Sequence, residues 1–131
     1  MKDNATLHLL FNHTLTQDQK EDAHKTLHIE NIVYFPSGLL DIWREIPAQK
    51  LYIKDMLYGH YAYMSKACKK GDYILIQGDA GATFLMVQKA LSLKLIPIYA
   101  TTKRQAIEKV VKGKSIKTSI FEHVLFRKYG E

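Results

Sequence analysis

Four short apolar runs, separated by stretches with helical spacing, constrain this chain most. They are Thr6-Leu7-His8-Leu9-Leu10-Phe11, Asn31-Ile32-Val33-Tyr34-Phe35, Tyr73-Ile74-Leu75-Ile76 and Leu95-Ile96-Pro97-Ile98-Tyr99-Ala100. Each has the length and composition of a buried strand. Strands that alternate with helices predict an α/β fold with a mostly parallel sheet covered by helices on both faces. The 131 residues suit one domain, and 47% apolar content is enough to fill its core.

Between the strands, Thr16-Gln17-Asp18-Gln19 reads as a capping box that opens a helix reaching about Leu27. Residues 39–46 form a short helix stopped by Pro47. From Gln49 to Lys69, Ile53, Met56, Leu57, Tyr61, Met64 and Cys68 recur at helical spacing, so this segment is expected to be the longest helix. A helix is also expected over residues 82–94, and another from Lys103 to Val111. Pro97 lacks a donor, so its strand is expected to start late or lie toward an edge. Ser115 to Tyr129 looks extended and suits an edge or antiparallel strand. There Phe121, His123, Leu125 and Arg127 are expected on one face and Glu122, Val124, Phe126 and Lys128 on the other.

The chemistry is expected where parallel strands end. In open α/β sheets, ligands bind beyond the carboxyl ends of the strands. The first strand ends in Asn12 and His13, the third in Gln77, Gly78, Asp79, Ala80, Gly81, Ala82 and Thr83, and the fourth in Thr101, Thr102 and Arg104. These supply amide, imidazole, hydroxyl and guanidinium groups, a set suited to a phosphodiester or a ribose. The glycine turn has two readings. Its amides can face a phosphate at the start of a helix, or it is a tight strand-to-helix turn with no ligand. It lacks the P-loop lysine and the dinucleotide-fold glycine spacing. Asp79 would repel a phosphate and is better placed to cap the next helix or accept a ribose hydroxyl. His13 has the chemistry of a general acid or base, against an ordinary surface histidine. His123 and Arg127 either reach a phosphate together or form the wet face of an edge strand.

Charge is uneven. Residues 101–131 hold eight Lys or Arg against Glu108, Glu122 and Glu131, net +5 of the chain's +6. That imbalance points to an anionic partner or to solvated lysine faces. A single cysteine, Cys68, excludes an internal disulfide and a Cys-rich metal cluster. Its place on an apolar stripe makes it core. No metal-ligand spacing is present, and no cofactor is expected. No apolar run has the length of a membrane span, and Met1 to Asn4 lack a signal-peptide pattern, so a cytoplasmic protein is expected. Trp43, Tyr58 and Tyr61 are candidate interface anchors.

Taken together, the motifs Leu10-Phe11-Asn12-His13, Gln77-Gly78-Asp79-x-Gly81-Ala82-Thr83, Tyr99-x-Thr101-Thr102-x-Arg104 and Phe121-x-His123-Val124-x-Phe126-Arg127-x-Tyr129 resemble a family. It is a small stand-alone CRISPR-associated family, of the Csx type found in type III systems. The likeness runs from about residue 7 to 129. It implies a Rossmann-like domain related to cyclic-oligoadenylate sensors. The implied activity is that of a ring nuclease, which cuts cyclic tetra-adenylate without a metal and so ends an antiviral signal; some relatives bind the ring without cutting it. It implies a homodimer with the ring near the two-fold axis and no stable DNA or RNA partner. In this reading a ribose 2′-hydroxyl attacks its own phosphate. Arg104 stabilises the phosphorane, and His13 transfers protons with His123 in reserve. Asn12, the turn from Gln77 to Thr83, Thr101, Thr102 and Arg127 hold the substrate.

Overall fold

A computed structural model describes residues 5–131; the reading of Met1 to Asn4 lies outside them. The five strands are β1 (Ala5–Leu10), β2 (Ile29–Tyr34), β3 (Tyr73–Ile76), β4 (Ile96–Val111) and β5 (Lys114–Lys128). They form one sheet in the order β2-β1-β3-β4-β5. The first four are parallel, and β5 runs antiparallel to β4. The fold is therefore the expected Rossmann-like α/β arrangement, and the tail is both an edge strand and antiparallel.

Period-two alternation sends side chains of one strand to two cores. Leu7, Leu9, Leu75 and Ile98 pack with Ala23 and Leu27 of α1 (Gln17–Leu27). Leu10, Ile74 and Ile76 pack on the other face with α2 (Ser37–Arg44), α3 (Tyr58–Ala67) and α4 (Ala80–Ser92), through Trp43, Met64, Met86 and Ala90. α1 opens on the expected capping box: Gln19 N donates to Thr16 Oγ1 at 3.2 Å, and Thr16 N donates to Gln19 Oε1 at 2.9 Å. Among the described residues no helix is long and apolar enough to cross a membrane.

Two expected helices are corrected. The segment from Gln49 to Lys69 is not one long helix; a 3-10 turn at Lys54–Leu57 feeds α3, and the longest helix is α4. Spacings of three and four fit both turn types, so the apolar stripe looked continuous. The stripe itself is real, since Ile53, Leu57, Tyr61, Met64 and Cys68 all join the second core. The segment from Lys103 to Val111 is strand, not helix. Its Lys, Arg, Gln, Ala and Glu favour a helix locally, but it pairs with β5 along its whole length. Lys112 and Gly113, at φ 51° and 76°, make the two-residue turn between the strands. Pro97 sits one residue into β4 and pairs with Ile74, so the strand starts before it, and β4 is second from the sheet edge.

Buried histidines stabilise this frame without reaching the strand ends. His60 is fully buried and its Nε2 donates to the Leu39 carbonyl at 2.8 Å. Burial pushes its pKa below the ordinary 6.5, opposed by that hydrogen bond. The native state therefore resists protonation that the unfolded chain accepts, and stability is lost as pH falls below about 6.5 toward the lowered value. Chemical denaturation between pH 7.5 and 5 is expected to show a shallower loss for His60→Gln than for wild type; equal slopes would contradict this assignment.

Candidate functional site

A cleft of about 550 Å³ opens at the carboxyl ends of β1, β3 and the sheet-bound part of β4. Phe11, His13, Gln77, Ala100, Thr102 and His123 line it, together with Thr16 and Gln19 from the start of α1. Four sequence candidates, His13, Gln77, Thr102 and His123, are thus brought together from separate segments. His13 is exposed and stands edge-on to the Phe11 ring at 6.3 Å. The Gln77 side chain is partly committed, because its Oε1 accepts the Ala100 amide at 2.8 Å and ties β3 to β4.

His123 is held by a partner that sequence reasoning missed. Its Nε2 lies 2.7 Å from Oδ2 of Asp22 on α1, and only 6% of its side chain is exposed. Its Nδ1 is buried with no hydrogen-bond partner among the described residues. The pair welds the root of the β4–β5 hairpin to α1. The alternation of the tail gave no hint of this, because β5 carries an extra residue. Thr101 pairs with Leu125 but Thr102 pairs with His123, so Val124 is skipped. Thr101 Oγ1 secures the irregularity, donating to the Leu125 carbonyl and accepting its amide, both at 3.2 Å. A one-residue bulge exchanges the faces beyond it. His123 and Phe126 therefore lie together, rings 4.7 Å apart, on the α1 side. Arg127 is on the opposite face, where its Nη1 donates to the Tyr99 hydroxyl at 3.1 Å and its guanidinium lies 5.4 Å from that ring's centroid. The expected common face of His123 and Arg127 does not form.

The remaining candidates stand outside the cleft lining. Arg104 is exposed, and its Nε donates to Ser119 Oγ at 2.9 Å, toward the hairpin tip. Its cross-strand neighbour Phe121 does line the cleft. Asn12 is half-buried, with an unpartnered Oδ1 among the described residues. In the glycine turn, Asp79 caps α4 through Oδ2, which accepts the Ala82 amide at 3.0 Å, while the Asp79 carbonyl accepts the Thr83 amide at 2.8 Å. Gly78 is glycine for an internal reason. A Cβ there would sit 2.6 Å from Trp43 Nε1, which itself donates to the Gln77 carbonyl at 2.9 Å. Gly81 is different, since a Cβ there meets ordinary contacts at 3.5 Å. Trp43 is only 1% exposed, so it is a core residue rather than an interface anchor; Tyr58 is exposed.

The electrostatics are mixed. Asp18 and Glu122 line the cleft, and among the described residues no lysine or arginine does. Cations stand at its rim: Lys103 pairs across strands with Glu122, and Arg104 with Phe121. This division suits a ligand whose hydroxyls and base edges enter the cleft while its phosphates meet the rim. Burial pushes the Cys68 thiol up to about 12, with Asp72 adding to the shift, so it is a core thiol and no nucleophile.

Comparison with known proteins gives one family. The family model described as "Uncharacterized protein MJ1673 family" matches residues 5–127. A curated protein of Methanocaldococcus jannaschii, "Uncharacterized protein MJ1673", is 45% identical over 121 residues, covering 92% of this chain and 94% of that one. No solved structure matches.

Proposed function

We propose that this chain, which belongs to the MJ1673 family, binds cyclic oligoadenylate in the cytoplasm and opens the ring as a metal-independent nuclease of type III CRISPR signalling. The observation that carries the reading is the convergence of His13, Gln77, Thr102 and His123 on one cleft at the carboxyl ends of parallel strands. Its volume is in the range of sites for drug-sized ligands, roughly 300–1,000 Å³. A four-nucleotide ring is larger than that, so one cleft covers part of it. Two copies around a two-fold axis would hold the ring symmetrically.

The chemistry is an in-line transesterification. The ribose 2′-oxygen bonds to its adjacent phosphorus as the bond to the 5′-oxygen breaks, leaving a 2′,3′-cyclic phosphate and a 5′-hydroxyl. One proton leaves the 2′-hydroxyl and one reaches the 5′-oxygen. His13, exposed in the cleft, is the group for proton transfer. Arg104, at the rim, would release Ser119 to stabilise the charged phosphorane. Asn12, Thr101, Arg127 and the turn from Gln77 to Thr83 remain candidates for holding parts of the ring beyond the cleft. Gly78 and Asp79 also have the internal roles already described.

A second reading, binding without cleavage, is favoured by one observation. Of the three catalytic candidates only His13 has a free position in the cleft, since His123 is committed to Asp22 and Arg104 to Ser119. The deciding experiment is a single-turnover incubation of excess protein with labelled cyclic tri-, tetra- and hexa-adenylate in chelator, with products resolved by chromatography. Linear product supports the nuclease. Tight binding with the ring intact leaves a sponge or sensor, and no binding to any ring overturns both.

A further inference from the structure

Beyond the cleft, the β4–β5 hairpin projects as a two-stranded ribbon. β3 pairs with β4 only as far as Ile98, so residues 102–123 pair only with each other. Ten paired residues in each strand extend about 33 Å at about 3.3 Å per residue. From 103 to 122 every residue except Ile107 is exposed. The ribbon's side chains are basic: Lys103, Arg104, Lys109, Lys112, Lys114 and Lys117 stand against Glu108 and Glu122, net +4 of the chain's +6. The tip is more extreme, since residues 109–117 hold four lysines and no acid.

The pairing distributes these cations around the ribbon. Lys109 and Lys114 fall on one face and Lys117 on the other, with Lys112 in the turn itself. Lys112 takes a left-handed backbone that asparagine, aspartate or glycine adopts more easily. Between the lysines, Val110, Val111 and Ile116 remain exposed. A two-stranded ribbon of this kind is marginal in water by itself.

We propose that the tip of this ribbon is a nucleic-acid-binding arm, whose lysines neutralise the phosphates lining the major groove of duplex DNA. A two-stranded ribbon is one of the elements that the major groove, about 12 Å wide, admits. Cations on both faces and at the turn meet phosphates on both walls, and the exposed aliphatic side chains meet base edges such as thymine methyls. A second copy of the chain is the weaker occupant, because two tips that each carry four lysines and no acid repel one another. The tip, residues 109–117, lies outside the cleft lining, to which the root of the ribbon contributes Thr102, Gln105, Ile120 and Phe121.

The test is fluorescence anisotropy with the full chain and a labelled duplex of about 20 base pairs, titrated from about 50 to 200 mM salt, with single-stranded RNA alongside. The four tip lysines together are expected to contribute a log–log salt slope of about −3.6, equivalent to about 150-fold in affinity over that range. Replacing Lys109, Lys112, Lys114 and Lys117 by alanine should remove that slope, and replacing them by arginine should keep it. Neither variant should change ring binding. The proposal fails if the wild-type chain does not bind duplex at the lowest salt, or if the alanine variant keeps its affinity and slope. It fails too if single-stranded RNA alone binds, if cyclic tetra-adenylate displaces the duplex, or if sedimentation shows the tip lysines driving self-association instead.

Discussion

Replacing His13 with alanine is expected to slow ring opening by about 100- to 10,000-fold while ring affinity changes little, the range for losing a positioned acid or base. His13 is exposed, stands edge-on to Phe11 and lines the cleft, so the change removes the proposed proton carrier without opening a core cavity. Single-turnover rates and ring affinity, measured on the same preparations, separate the two effects. A rate within threefold of wild type would remove His13 from the chemistry. Equal losses in rate and affinity would make it a binding residue. Arg104→Ala, by contrast, should weaken both, because a guanidinium that stabilises the phosphorane also meets the ground-state phosphate.

The largest stability effect is expected at Trp43. Truncation to alanine should cost about 3–5 kcal/mol, the usual range for a buried tryptophan. It also leaves the Gln77 carbonyl without the indole donor that lies 2.9 Å away. Gly78→Ala reaches the same contact from the other side. Its new Cβ would press on the Trp43 indole at 2.6 Å, and overpacking of this sort costs about 1–3 kcal/mol. Urea denaturation of the two single variants and the double variant checks the coupling. Most of the Gly78→Ala cost should vanish once the indole is gone. If it persists in the Trp43→Ala background, the glycine is required for something other than packing. Gly81→Ala is the internal control, since its methyl meets only ordinary contacts at 3.5 Å, and its effect is expected within about 0.5 kcal/mol, as for an ordinary surface change.

These two results bear on what a sequence can reveal. The centre of the sheet is legible because β1 and β3 are buried and read as near-continuous apolar runs, as Tyr73 to Ile76 does, whereas the edge strand β2 is largely exposed. The capping box of α1 and the Asp79 cap of α4 were legible because capping is local chemistry. The ribbon was not, because Lys103 to Val111 carries helix-favouring residues and becomes strand only through pairing with β5. The two-residue turn at Lys112-Gly113 is the local signal of the hairpin, and a glycine alone does not distinguish a hairpin turn from the end of a helix. The face of His123 was hidden for a related reason: a bulge changes alternation without changing composition. Its partner Asp22 lies 101 residues away in sequence, beyond any motif. The glycine turn shows the reverse problem. A phosphate and an indole ask the same thing of Gly78, namely close approach, and the sequence does not distinguish them.

The skipped residue Val124 has a further consequence. β4 alternates without interruption from the sheet into the ribbon, so the extra residue shifts only β5: beyond Val124 its side chains face opposite to where unbroken alternation from Phe126 would put them. Were Val124 drawn into the ladder, it would pair with Thr102 in place of His123, and every outer residue of β5 would change faces while Arg104 and the rest of β4 kept theirs. His123 would then leave Asp22. The faces that ten residues of β5 present are thus decided at the root of the hairpin, by counting rather than by contact.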